Sequence, residues 1–354
     1  MRASSIAARR RLFSTSSSST ANLPPLLIST THLSSWREAN ASAFLPPICN
    51  KLLHKSELSV MGVGGPNTRT DFHLEAGAEF FWQIQGDMEL PIVERGKRKL
   101  IKIREGEVFL LPPRLPHSPQ RTEGSFGLVI ERERAPDELD GLRWYTDFEK
   151  CDEVLWERYF YCSDLGRDLV PVVEAFKASD ECTTMRPGPN GGRVTNPPLE
   201  QDTITMVPPP FSLKAWLEEH EDDLSQGHHL NLFPDTIGSD LHVRVAGGHS
   251  HEASIALDHE VWLHQLVGDA LVYQCTDTTV PDPRHPGGRL GLTVDGWREE
   301  PLLEGTSAII PKGTAYSIER KAGCIGLVAS RHDLVTSKET NRWRQKKQAG
   351  YRVK

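Results

Sequence analysis

The sequence has six cysteines, Cys49, Cys151, Cys162, Cys182, Cys275 and Cys324, and no two of them form a C-x-x-C pair. That excludes a rubredoxin-type iron centre and a structural zinc knuckle, and in a chain of 354 residues it argues against a disulfide scaffold. Six reduced thiols in a reducing compartment is the reading that remains. No run of 18 or more apolar residues occurs either, so no segment reads as a membrane-spanning helix. Positive charge is also scarce. Lys and Arg number 41 against 48 acids, a net charge of -7, and outside Arg9 to Arg11 and Arg342 to Lys347 the basic residues are scattered. Neither nucleic acid nor an anionic membrane is therefore an expected partner.

What is present begins with an unusual leader. MRASSIAARRRLFSTSSSST holds four arginines, many serines and no acid, the composition of an organelle transit peptide, with the mitochondrion as its expected destination. An unaddressed disordered tail is the alternative. Residues 1–24 are set aside from the fold in either case.

From Leu58 to Glu133 short runs rich in Phe, Ile, Leu and Val, such as EFFWQIQGDMEL, KLIKI, VFLLP and FGLVIE, are punctuated by Gly, Pro and charge. That pattern predicts a mainly β fold, a sandwich or barrel. Helical spacing follows, with Leu169, Val172, Val173 and Phe176 on one face. MRPGPNGGRVTNPPLEQD then reads as a linker, FSLKAWLEEHEDDLSQG as an amphipathic helix, and β-like runs resume to about residue 330. The expected division is a leader (1–24), a catalytic β domain with following helices (25–185), a linker (186–203) and a second β domain (204–354).

The second β region echoes the first. QIQGD (83–87) matches QLVGD (265–269), and EGEVFLLPPRLPHSPQR (105–121) matches EGTSAIIPKGTAYSIER (304–320) without a gap. Repetition on this scale points to a duplicated domain. Three residues fail to repeat: His73 falls on Ile255, Glu79 on Val261 and His117 on Tyr316. Their joint loss suggests one functional and one structural copy. The histidines of GGHSHEASIALDHE (247–260) lie off the matched register and read as loop residues.

Two histidines and a carboxylate form the facial set that suits non-haem Fe(II), whereas zinc takes more nitrogen or sulfur and Mg or Ca takes oxygen alone. Arg69, Asp71 and His73 alternate, and would share one face of a strand. Arg121 would share a face with His117 if SPQR continues as a strand, and two arginines near the metal make a carboxylate anchor. Any one of these residues taken alone is more often a solvated surface group. The set, with its spacing and its loss from the second copy, favours a metal site.

H-x5-E-x6-G from His73, then G-x5-P and a histidine five residues later, resembles the paired motifs of the cupin superfamily, with Asp71 where the usual first histidine stands. More specifically, GGPNTRTDFHLEAGAEFFWQIQGDM and FLLPPRLPHSPQR resemble the 3-hydroxyanthranilate 3,4-dioxygenase family, closely over 63–134 and more loosely to about residue 330. The resemblance implies two cupin (double-stranded β-helix, jelly-roll) barrels with connecting helices, the second degenerate and metal-free. It implies one Fe(II) per chain on His73, Glu79 and His117, and ring cleavage of 3-hydroxyanthranilate by O2 on the kynurenine route to quinolinate and NAD. Arg69 and Arg121 would hold the substrate carboxylate, Glu79 would border the substrate, and Glu131 in VIERER would contact the ring hydroxyl or amine. A monomer in the cytoplasm is the family expectation, so the leader and the resemblance disagree on location. A cupin sugar-phosphate isomerase and a non-catalytic cupin binding protein are the rival readings; the first should show a histidine-richer motif, and the second should have lost its ligands in both copies.

Overall fold

The structure is a computed structural model that describes residues 28–46, 49–234, 239–248, 251–254, 259–275 and 297–331. The leader, Ile255, His249 and the basic Arg342 to Lys347 cluster lie outside the described residues.

Strand Glu79–Gln85 sets the logic of the fold. Its sequence EFFWQIQ alternates, and successive side chains of a strand point to opposite faces. Phe81 joins an apolar cluster inside the first barrel with Met88, Leu90, Phe109 and Val129. Phe80 turns the other way, into a second cluster. Full burial of a Phe stabilises by roughly 1.5–3 kcal/mol, so both faces of this strand are committed.

Two six-stranded antiparallel sheets dominate the described residues. The first runs Phe211–Ser212, Glu107–Leu111, Glu79–Gln85, Phe126–Arg132, Leu58–Gly64, Asn50–Lys55. The second runs Ser29–His32, Thr306–Ile310, Val261–Val267, Ile325–Arg331, Leu241–Ala246, His229–Asn231. Position by position these are the same sheet built twice. Smaller sheets close each barrel, and the fold is the mainly β, two-barrel architecture that the repeat led us to expect. The largest apolar cluster lies between the two big sheets, where Phe80, Phe126 and Ile130 meet Phe233, Val243 and Trp262. The halves therefore share a core.

Their turns repeat in detail. Gly86 and Gly268 both have φ +63°, the left-handed region that favours glycine. Gly86 N donates to Glu105 Oε2 and Gly268 N to Glu304 Oε2, each at 2.7 Å.

A single cut of the chain does not separate the sheets. Ser29–His32, from the N-terminal part, pairs with Thr306–Ile310 of the second sheet, while Phe211–Ser212 pairs with Glu107–Leu111 of the first. Leu33 N donates to Gly305 O and Leu213 N to Gly106 O, so the exchange is reciprocal. Division at 25–185 and 204–354 leaves each of these strands apart from its own sheet. The Pro/Gly-rich segment 186–203 is not a free tether either. Val194 N donates to Glu157 Oε1, Tyr159 Oη to Leu199 O, and Arg143 Nη1 to Gln201 Oε1, which straps it across strands Asp140–Tyr145 and Val154–Phe160.

The amphipathic stretch after Phe211 forms two short helices, Leu213–Glu219 and Glu221–Ser225, broken at His220. His220 stacks on Trp216, and its Nδ1 lies 2.8 Å from Trp216 O, which also accepts from His220 N at 3.2 Å. Helix Leu165–Lys177 buries Val172 and Phe176, as its spacing predicts. The five cysteines with described side chains are all free.

Candidate metal centre and substrate site

His73 and His117 are held by their own backbones. His73 N donates to His117 O at 2.8 Å and His117 N to His73 O at 2.9 Å, an isolated bridge that joins strand Phe72–Leu74 to the segment after the PPRLP turn. Glu79 opens the neighbouring strand of the large sheet. Candidate ligand atoms of His73, Glu79 and His117 all lie within 4.8 Å of one another, and all three residues are buried. His117 Nδ1 bonds Leu115 O at 3.0 Å, which leaves Nε2 facing Glu79 Oε1 at 2.8 Å. Such a carbonyl bond on the far nitrogen is how proteins orient metal-binding histidines.

Glu79 Oε1 is buried and has no aligned hydrogen bond among the described residues. Burial alone would raise the Glu79 pKa, but the charges of His117 and His73 outweigh it and hold the carboxyl at about 2. An ionised, unsatisfied oxygen facing two imidazoles fits a divalent cation. The residues present therefore fit the metal that the motif implies.

Arg121 lies in the short strand Gln120–Arg121, is buried, and its Nε has no hydrogen-bond partner among the described residues. Burial lowers its pKa to about 10, with nearby Arg69 adding to the effect and Glu79 opposing it. Arg69 is half-buried and its guanidinium clasps Asp71. Strand geometry begins at Phe72, so Arg69 and Asp71 do not share a strand face with His73 as alternation predicts; an ion pair fixes Arg69 instead. Glu131 is buried at the end of strand Phe126–Arg132, directly opposite Glu79. Its Oε1 accepts from Arg134 at 2.8 Å, while Oε2 has no partner among the described residues. A cavity of about 240 Å³ reaches Glu131 between Leu52, Met61, Lys55 and Leu165.

Three residues of the site were not singled out from the sequence. Asp140 Oδ2 lies 2.8 Å from His73 Nε2, and Arg134 binds Asp140, Glu131 and Glu75. Glu75 follows His73 by two residues but lies just past strand Phe72–Leu74, so alternation does not place it. Asp140 arrives through the pairing of Asp140–Tyr145 with Phe72–Leu74, for which no local signal exists.

The second barrel differs at each matched position. Val261 replaces Glu79 at the start of its strand, and Tyr316 is buried in the apolar cluster that fills this barrel. Backbone pairing sets Ser254 opposite Tyr316, just as His73 stands opposite His117, so the partner of His73 is Ser254 and not Ile255. One more residue separates Ser254 from Val261 than separates His73 from Glu79, and an ungapped alignment misses it. Among the described residues, every group able to hold a metal lies in the first barrel. Of the loop histidines, His259 lies 3.5 Å from Glu57.

Comparison with known proteins shows the family of the chain. The family model described as 3-hydroxyanthranilic acid dioxygenase matches residues 27–177. The 3-hydroxyanthranilate 3,4-dioxygenase of Bos taurus is 42% identical over 292 residues, covering 82% of this chain and 92% of its own. That of Homo sapiens is 40% identical over 292 residues, covering 82% and 92%. Among solved structures, oxalate decarboxylase from Bacillus subtilis at pH 4.6 matches with a TM-score of 0.44 and 16% identity over 80% of this chain and 71% of that one, too distant to carry an argument. At the identity and coverage of the dioxygenases, the chain belongs to the 3-hydroxyanthranilate 3,4-dioxygenase family.

Proposed function

We propose that this chain opens the C3–C4 bond of 3-hydroxyanthranilate with O2 to give 2-amino-3-carboxymuconate semialdehyde, using one Fe(II) per chain. The observation that carries the proposal is the buried His73, Glu79, His117 set beside an arginine Nε and a carboxylate oxygen that have no hydrogen-bond partner among the described residues. Two nitrogens and one oxygen on one side of an ion leave positions open, the donor set that suits non-haem Fe(II). Bound there, the ion supplies the electron path between the aminophenol and O2 that ring opening needs.

The chain's own residues do the rest. Arg121, charged and lacking a partner at Nε, takes the substrate carboxylate, and its fork matches that group in two bonds. Arg69, held by Asp71, adds a second positive charge beside it. A carboxylate between these arginines relieves their mutual repulsion. Glu131 Oε2 is placed to accept the proton of the ring hydroxyl. The buried side chains around the site keep bulk water from the opened ring.

A sugar-phosphate isomerase is disfavoured because relatives at 40–42% identity are dioxygenases by name. A binding protein without catalysis is disfavoured because the first barrel keeps all its candidate ligands. We further propose a monomer located in the cytoplasm; the mitochondrion is the alternative raised by residues 1–24, and a reporter fused to that segment decides between them. Metal identity is tested by loading the metal-free protein anaerobically with Fe(II), Mn(II) or Zn(II), then adding 3-hydroxyanthranilate and O2. Turnover with Fe(II) alone supports the proposal; equal turnover with Zn(II) sinks it.

A further inference from the structure

Glu131 and His73 lie on different strands, yet one side chain reaches the supports of both. Arg134 follows strand Phe126–Arg132 and is buried. Its Nη1 donates to Glu131 Oε1 at 2.8 Å. Its Nε lies 3.2 Å from both oxygens of Asp140, and Nη2 lies 3.0 Å from Oδ2. Asp140 Oδ2 is the atom that meets His73 Nε2 at 2.8 Å. Nη2 also donates to Glu75 Oε2. One planar guanidinium thus engages three buried carboxylates, a span that the point charge of lysine cannot reproduce.

The consequence is a fixed choice of faces. With Oε1 tied to Arg134, Glu131 presents Oε2 as its unpartnered oxygen. With Asp140 tied to the same group, the His73 ring has one orientation. We propose that Arg134 is a positioning residue that couples the two: it sets which oxygen of Glu131 meets the substrate and, through Asp140, how His73 meets the metal. The proposal rests on the roles given above to His73 and Glu131. A residue needed merely to neutralise buried acids would also stabilise the fold, but its loss would not act through Glu131 and Asp140 in particular.

Double-variant cycles on the full chain separate the two cases. Cobalt(II) serves as the probe for the metal arm, since its affinity and visible absorption need no turnover. Arg134→Lys should weaken Co(II) binding about tenfold, as loss of a group behind a ligand does, and change the spectrum. It should have no further effect in an Asp140→Asn background. In the kinetic arm Arg134→Lys should lower kcat by about tenfold or more with KM little changed. Its effect should shrink in a Glu131→Gln background and vanish when Asp140→Asn is added to that background. Additive losses in either background, or an unchanged Co(II) affinity and spectrum, overturn the proposal. If Arg134→Lys fails to fold, Asp140→Asn is read alone, and unchanged Co(II) binding and absorption overturn it. A wild-type protein that binds Co(II) but never opens 3-hydroxyanthranilate contradicts the proposed reaction instead, and the metal arm still decides the role of Arg134.

Discussion

Glu79 and Glu131 stand directly opposite each other on adjacent antiparallel strands, both buried. Like charges in that position destabilise a sheet. His117 at 2.8 Å from Glu79 and Arg134 at 2.8 Å from Glu131 offset part of the repulsion. A divalent ion beside Glu79 offsets more of it, so the native state and the metal should be coupled. Chelation should lower the melting temperature, because an ion held at 100 times its Kd stabilises the folded state by about 2.7 kcal/mol. His73→Ala, Glu79→Ala and His117→Ala should each lose the metal and reduce turnover by orders of magnitude while remaining folded by circular dichroism. Wild-type activity in any one of them removes that residue from the site.

Substrate anchoring gives a second expectation. Arg121→Lys keeps a charge but loses the fork, and should weaken binding of 3-hydroxyanthranilate by roughly 1–3 kcal/mol. The truncated compound 2-aminophenol, which lacks the carboxylate, should be a poor substrate and nearly indifferent to this substitution. Steady-state kinetics with both compounds makes the comparison. Equal losses with both would mean that Arg121 supports the fold and does not hold the carboxylate.

The second barrel should be a brace. Tyr316 is buried among Val261, Leu263 and Ile318, where the first barrel holds its candidate ligands. Tyr316→Ala should cost about 3–5 kcal/mol of stability, the usual cost of truncating a buried aromatic. Metal content should stay at one per chain. A second metal that survives His73→Ala and disappears in His249→Ala or His251→Ala would show a site in the second barrel.

Acid should act through the shared core. His264 is buried, bonded at Nδ1 to Ser307 Oγ at 2.9 Å, and its ring centroid lies 5.2 Å from that of Trp82 and 5.7 Å from that of Trp262. Burial, with a smaller contribution from His32, pushes its pKa down from 6.5 to about 4. The folded state thus binds the proton less readily than the unfolded chain, so this stability is present above pH 6.5 and is lost as pH falls towards 4. The gap corresponds to on the order of 3 kcal/mol. Urea unfolding of His264→Gln should show a flatter dependence on pH between 6.5 and 4 than wild type. Identical slopes would mean that His264 does not carry the effect.

Much of this was legible in the sequence because it is local. EFFWQIQ states its strand and both faces by alternation, and the glycines of QIQGD and QLVGD mark turns that only a left-handed residue fits easily. Spacing singles out His73, Glu79 and His117, which the fold brings together, and their absence from the second copy separates them from ordinary polar residues. What could not be read depends on pairing across the chain. Ser29–His32 and Phe211–Ser212 are edge strands of four and two residues, too short to show a period, although LSSW at 33–36 and LKAW at 213–216 repeat the turn that follows each. Asp140 and Arg134 acquire their roles only when strands far apart in sequence meet. Ser254 replaced Ile255 as the counterpart of His73 because a one-residue difference between strands leaves no mark in composition.

The most direct measurement is the mass of the product formed when anaerobic, Fe(II)-loaded protein receives 3-hydroxyanthranilate and then isotopically labelled O2. The expected product is the substrate plus both labelled oxygen atoms, formed by wild type and absent from His117→Ala treated in the same way. An Fe(II)-loaded protein that leaves 3-hydroxyanthranilate intact, or a product carrying no oxygen from O2, would contradict the assignment of this site to ring cleavage.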